Sequence, residues 1–268
     1  MSDRGLAYGD GLFETLSFQH GQCALAHWHW ARLLKGCERL SIPLAEEQLL
    51  NDLQLFLTNL TKHKSVLDGI VKLIVTRGSG GRGYAPPDKP KATLIWQWLP
   101  LIESSMEAQE GVALNVSTIR LAKQIQLAGL KHLNRLEYVL AAQAVSDGYI
   151  PLLLDADGYV IETLSHNIFF VYAGVIITPN LMHCGVDGVL KQFSQQQLAP
   201  SLSLKIQQEN ISLDQLMAAD EVFIGNSVRG FWPVTSLTSD KKTVHWSIGN
   251  ICRQFQKSHQ LYLHSAHG

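Results

Sequence analysis

Lys131 follows an uncharged run, Ile125-Gln126-Leu127-Ala128-Gly129-Leu130, and opens the more polar stretch His132-Leu133-Asn134-Arg135-Leu136-Glu137. An amine among apolar neighbours loses hydration, which disfavours its ammonium form and supplies the neutral nitrogen that a Schiff base or a proton abstraction requires. A snorkelling lysine at a helix start is the bland alternative. Glu162 follows Val160 and Ile161 near the end of a strand-like run, where its carboxylate would stand at the rim of a sheet. An exposed strand-end glutamate is the commoner case. Asp187-Gly188-Val189-Leu190-Lys191 begins a helical stretch after Gly185, and its amides could hold an anion, although every helix start offers such amides.

Three other patterns suggest chemistry and lose it on inspection. Gly78-Ser79-Gly80-Gly81-Arg82-Gly83 satisfies G-x-G-x-x-G after a strand, but Tyr84-Ala85-Pro86-Pro87 does not open the helix that a dinucleotide site needs. The same segment with Arg77 could contact RNA, yet a near-neutral chain with one such loop attracts a polyanion weakly. A flexible active-site or surface loop is the better reading. Gly225-Asn226-Ser227-Val228-Arg229-Gly230 approaches a nucleophile elbow but has Arg229 where G-x-S-x-G requires glycine. His27 and His29 are two apart on a helix, so they face different ways, and no acidic residue within a turn completes a ligand set. They read as ordinary helix residues, and no metal is expected.

The elements that must position these groups are legible from periodicity. Residues 24–40 place Trp30, Leu33, Leu34, Cys37 and Leu40 at helical spacing, and residues 46–60 do the same with Leu49, Leu50, Leu53, Phe56, Leu57 and Leu60. Residues 71–76 and 92–99 read as strands of a hairpin joined by a Gly- and Pro-rich loop. Residues 103–111 turn polar and lose periodicity, which predicts a crossover between a domain of residues 1–105 and one of residues 106–268. Beyond it, 112–120 is a strand and 134–146 a helix stopped by Gly148. The stretches 151–154, 159–163, 168–171 and 175–178 form a meander, and 221–224 adds a strand. The class is α+β, with a smaller N-terminal α/β domain and a larger strand-rich C-terminal one.

The 268 residues are 46% hydrophobic and 17% charged, which excludes disorder, collagen and a coiled coil. A formal charge of −1 leaves no basic excess to hold nucleic acid or an anionic membrane, so a charged ligand must be met locally. The four cysteines lie far apart with no C-x-x-C, which suits reduced thiols in a cytosol. The N-terminus lacks an apolar run behind basic residues, and no stretch approaches the ~20 apolar residues of a spanning helix. A cytoplasmic protein is expected.

Taken together, these residues resemble the fold type IV pyridoxal-phosphate enzymes, the group of branched-chain and D-amino-acid transaminases and 4-amino-4-deoxychorismate lyases. The resemblance spans nearly the whole chain. Asp3-Arg4-Gly5-Leu6-Ala7-Tyr8-Gly9-Asp10-Gly11-Leu12-Phe13-Glu14-Thr15 looks like the group's opening motif, and His29-Trp30-Ala31-Arg32-Leu33 matches the site of its phosphate-binding arginine. The resemblance implies pyridoxal 5'-phosphate as cofactor, with Lys131 as its covalent anchor and the catalytic residue. It implies Arg32 on the phosphate and Glu162 on the pyridine nitrogen, through Gly158-Tyr159-Val160-Ile161-Glu162 and Asn167-Ile168-Phe169. Backbone amides of Val189 and Leu190 and the hydroxyl of Ser227 are implied to complete the phosphate cup.

The segments 77–84 and 131–137 look more like the lyases of the group than the transaminases. The implied reaction converts 4-amino-4-deoxychorismate to 4-aminobenzoate and pyruvate, with Arg77 as the expected partner of a substrate carboxylate. A D- or branched-chain amino-acid transaminase is the nearest alternative, and an RNA-binding protein acting through the Arg/Gly loop is the alternative from another class. A homodimer acting on a small molecule, without nucleic acid or membrane, is implied. Members usually carry a strand or two before the opening motif, whereas Met1 and Ser2 alone precede Asp3 here, a departure that fits either a start placed too late or a first sheet that lacks its edge.

Overall fold

The computed structural model describes residues 2–62, 68–101 and 106–266. The chain divides into two compact units. One holds the described residues of 2–101 together with Leu130–Asn134, and the other holds 106–129 with Arg135–Ser265. The expected cut at 105/106 and the start of the expected crossover fall on residues 102–105, outside the described ones.

In the first unit, α1 (Arg4–Tyr8) leads into β1 (Gly11–Phe18), followed by α2 (Ala26–Arg39), α3 (Glu46–Thr61), β2 (Gly69–Thr76) and β3 (Thr93–Pro100). The strands form an antiparallel sheet in the order β1-β2-β3. Alternation along β1 sends Leu12, Leu16 and Phe18 into a core with Trp30, Leu33 and Cys37 of α2 and Leu49 of α3. Both helices and the hairpin thus lie within a residue or two of their expected places. The Asp3-Arg4-Gly5 motif acts as a clamp. Asp3 caps α1 through the Gly5 amide, while buried Arg4 donates to the carbonyls of Gly80, Gly83, Tyr84 and Ala85.

The lysine segment, expected in the second domain, groups with this first unit. The Phe13 amide donates to the Lys131 carbonyl at 2.9 Å and the Leu133 amide to the Gly11 carbonyl at 3.0 Å, so residues 131–133 pair with the outer edge of β1. Gly11 permits the approach: a Cβ there would stand 2.4 Å from the Val75 carbonyl and 2.8 Å from the Leu133 side chain.

The second unit holds α4 (Glu107–Glu110), β4 (Val112–Leu121), α5 (Leu136–Ala144), β5 (Tyr149–Asp155), β6 (Val160–Thr163), β7 (Asn167–Tyr172), β8 (Val175–Pro179) and α6 (Val189–Phe193). A π turn over Ser194–Leu198 and α7 (Ala199–Ser201) prolong α6. Next come β9 (Ile206–Glu209), α8 (Leu213–Met217), β10 (Glu221–Asn226), β11 (Gly230–Thr238), β12 (Thr243–His245) and α9 (Asn250–Ala266). The expected meander is present, since β5 to β8 pair antiparallel in succession. Because β10 pairs with both β7 and β11, and β11 with β4, six strands close on themselves. Such strands bury both faces, which explains the unbroken apolar runs of β5, β7 and β10. Ile168, Phe170, Val222 and Ile224 join one core, while Phe169, Phe223, Phe231 and Phe255 form an aromatic cluster.

Candidate active site

In the first unit a carboxylate interrupts the apolar line of β1. Glu14, 1% exposed, accepts from Arg32 Nε at 2.7 Å, from Arg32 Nη2 at 2.5 Å and from His29 Nδ1 at 2.7 Å. His29 and Arg32 are three apart on α2 and so share a face. Burial works against a charge on Glu14, but the Arg32 guanidinium and the hydrogen bonds from His29 and Arg32 hold its carboxyl well below the usual carboxylate range. Burial drives the pKa of His29 down, against the pull of Glu14, so the ring is neutral and donates its Nδ1 proton. Its Nε2 is buried with no hydrogen-bond partner among the described residues.

Lys131 lies in the same unit. Its Nζ lies 4.3 Å from the centroid of the Phe13 ring, and its charge is felt by His29. The side chain is partly buried rather than fully solvated. His29 is therefore not the ordinary helix residue expected, since it joins Glu14 to the neighbourhood of Lys131. Sequence reading also passed over Glu14. The available signal was an acidic residue in register with Leu12, Leu16 and Phe18 of an alternating strand, a position that must find a partner.

Arg77, in the same unit, is engaged by partners of the chain itself. Its Nε and Nη2 grip both oxygens of Asp10 at 2.7 and 2.9 Å, and Nη1 and Nη2 donate to the carbonyls of Ser41 and Leu40 just past the end of α2. Burial opposes the charge of Asp10, yet Arg77 and Arg4 together lower its pKa. A guanidinium fixed in this way ties the end of α2 to the start of the Gly-rich loop.

In the second unit Glu162, 3% exposed, meets donors from three directions. Tyr138 of α5 donates its hydroxyl to Oε1 at 2.5 Å, the Val186 amide lies 3.1 Å from both oxygens, and Asn167 Nδ2 of β7 lies 3.3 Å from Oε2. Asn167 also donates to the Val186 carbonyl at 2.9 Å, closing the loop before α6 onto β7. That closure depends on Gly188, where a Cβ would stand 1.9 Å from Asn167 Oδ1. The strand-end glutamate is thus buried and held rather than exposed.

Val189 and Leu190 open α6 after Gly188, and the first amides of a helix have no acceptor within it. Leu190 packs against β10, its Cδ2 3.1 Å from where a Cβ of Gly225 would be. Two residues beyond Gly225, Ser227 sits in the β10–β11 turn, which Asn226 fixes by accepting from the amides of Val228 and Arg229 at 3.0 and 2.7 Å. Lys131 and Arg32 therefore belong to the first unit, and Glu162, Val189, Leu190 and Ser227 to the second. No cluster of three metal-ligating side chains occurs among the described residues.

Residues 11–237 match the amino-transferase class IV family. Among curated relatives, the aminodeoxychorismate lyase of Vibrio harveyi is 33% identical over 262 residues, 96% of this chain and 93% of that protein. A D-alanine aminotransferase of Staphylococcus epidermidis is 25% identical over 98% of this chain and 92% of its own length. Among solved structures, the 4-amino-4-deoxychorismate lyase of Pseudomonas aeruginosa superposes with a TM-score of 0.88 at 42% identity, covering 96% of this chain and 92% of that one. With a family match over most of its length and the corresponding α+β fold, the chain belongs to the amino-transferase class IV family.

Proposed function

We propose that this protein is a pyridoxal-phosphate-dependent lyase that converts 4-amino-4-deoxychorismate to 4-aminobenzoate and pyruvate. The observation that carries this reading is similarity over nearly the whole chain to two lyases, at 33% and 42% identity, against 25% to the D-alanine aminotransferase. Enzymes of this family use pyridoxal phosphate, and the side chains present fit it by type. An amine, a guanidinium, helix-start amides and a buried carboxylate are the groups that an aldehyde, a phosphate and a pyridine nitrogen call for.

In this reading Lys131 holds the cofactor covalently. Arg32, the amides of Val189 and Leu190 and the hydroxyl of Ser227 hold its phosphate, and Glu162 holds its ring nitrogen. Bound pyridoxal phosphate supplies an electron sink for charge left on a substrate carbon when its proton departs. Lys131, set free when the substrate amine takes its place, would in its neutral form take that proton from the ring carbon bearing the substrate amine. The same nitrogen, now an ammonium, returns a proton to the enolpyruvyl group as its bond to the adjacent carbon breaks and the ring becomes aromatic. Glu14 keeps the Arg32 fork in one orientation, so the phosphate is fixed and the reacting bond is aligned. The amine stays on the aryl product, and no amino acceptor enters the balance.

The expected assembly is a homodimer in the cytoplasm. Cys23, Cys37, Cys184 and Cys252 are unpaired, and burial pushes their thiols up to about 12, which suits a reducing compartment. No helix among the described residues is long and apolar enough to cross a membrane. The test is incubation of the cofactor-loaded protein with 4-amino-4-deoxychorismate and no keto acid. Equimolar 4-aminobenzoate and pyruvate are expected. Amino transfer to an added keto acid without pyruvate release would assign a transaminase instead.

A further inference from the structure

The donors around Glu162 differ in kind. The Val186 amide and Asn167 belong to one closed loop and strand and brace each other. Tyr138 comes from α5, a separate element, and makes the shortest contact, 2.5 Å to Oε1. A hydroxyl that donates to an ionised carboxylate makes a charge-assisted hydrogen bond. The direction of the bond is set by chemistry, because burial and the neighbouring carboxylate both make the phenol hold its proton more tightly. The other ionisable groups acting on the phenol are Arg135, whose guanidinium stands 4.8 Å from the ring centroid, and the Cys184 thiol.

We infer that Tyr138 is a positioning residue for Glu162, fixing the carboxylate plane from α5 and drawing electron density from Oε1 so that a ring nitrogen held there keeps its own proton. The inference rests on the proposed cofactor site and adds to it a residue that acts through Glu162. An oxygen that already accepts a strong hydrogen bond is a weaker base, and a carboxylate tied at both oxygens cannot rotate away from the atom it serves. Without the hydroxyl, Glu162 keeps the Val186 and Asn167 contacts, so it remains buried and folded but more basic and less constrained.

The experiment compares wild type, Tyr138→Phe, Glu162→Gln and the double variant, each loaded with pyridoxal phosphate. The visible absorption band is titrated with pH and steady-state kinetics are measured alongside. Tyr138→Phe is expected to shift the pH midpoint of the band and to lower kcat about 10-fold, the effect of losing one hydrogen bond to a charged group, with KM changed much less. In the Glu162→Gln background the same substitution is expected to do almost nothing, because its route of action is gone. An unchanged midpoint and kcat in Tyr138→Phe overturns the inference, as does an equal loss in both backgrounds, which marks a structural role. A wild-type protein that develops no visible band overturns the cofactor reading and this inference together, whereas a band indifferent to Tyr138 overturns the inference alone.

Discussion

Two arginines of the first unit are held by different partners. Arg77 is held by Asp10 and two carbonyls, so Arg77→Ala leaves buried polar groups unpaired and is expected to destabilise the protein by about 3 kcal/mol in urea unfolding. KM measured on the surviving folded fraction should change little. A large rise in KM at unchanged stability would restore Arg77 as a substrate contact. Glu14→Gln removes the charge that orients Arg32. Affinity for pyridoxal phosphate is expected to fall at least about 10-fold while affinity for unphosphorylated pyridoxal stays near wild type, a split read by fluorescence titration. Equal losses for both ligands would contradict a role through the phosphate. Lys131, Arg32 and Glu162 could be singled out because a family motif surrounds each. Glu14 and His29 were not, because the partner of His29 lies fifteen residues away on another element, beyond any spacing rule for one helix.

Among the elements, the loop before α6 is the most exacting. Gly188→Ala would drive a methyl into Asn167 Oδ1 and must displace Asn167 from Glu162 and Val186. A loss of about 2 kcal/mol is expected in urea unfolding, together with the same kind of spectral change as an altered Glu162. Wild-type stability would mean that the loop yields without cost. The helices and strands with clean periodicity were readable from the sequence, and those with mixed faces were not. The final helix, α9, buries Cys252, Phe255 and His259 in a narrow stripe among polar residues, too weak a signal against its surroundings. Strand β11 carries Pro233, which argues against a strand within a sheet, and the structure accommodates it next to an irregularity in the β11–β4 register.

At the scale of the whole molecule, buried neutral histidines set the response to acid. Burial lowers His166 to about 3 and His259 to about 4 from an ordinary 6.5, and lowers His29 as well. The unfolded chain therefore binds protons that the folded chain refuses. Stability present above pH 6.5 is lost as the pH falls toward 4, by roughly 1.4 kcal/mol per pH unit for each histidine. Glu14, lowered in the fold, adds to the loss only below its unfolded value of 4.5. Urea midpoints should fall steadily from pH 7 to pH 5, and a flat profile would mean that these rings are hydrated or protonated in the fold. Residues 130–134 group with the first unit, which the sequence does not announce, because an isolated edge pairing with β1 has no periodicity of its own.

The central claim is that the amine of Lys131 bonds covalently to pyridoxal phosphate. Borohydride reduction of the loaded protein, followed by peptide mapping, tests it directly. The account predicts one phosphopyridoxyl adduct, on the peptide containing Lys131. A protein that takes up no reducible cofactor, or one labelled at another lysine, would contradict it.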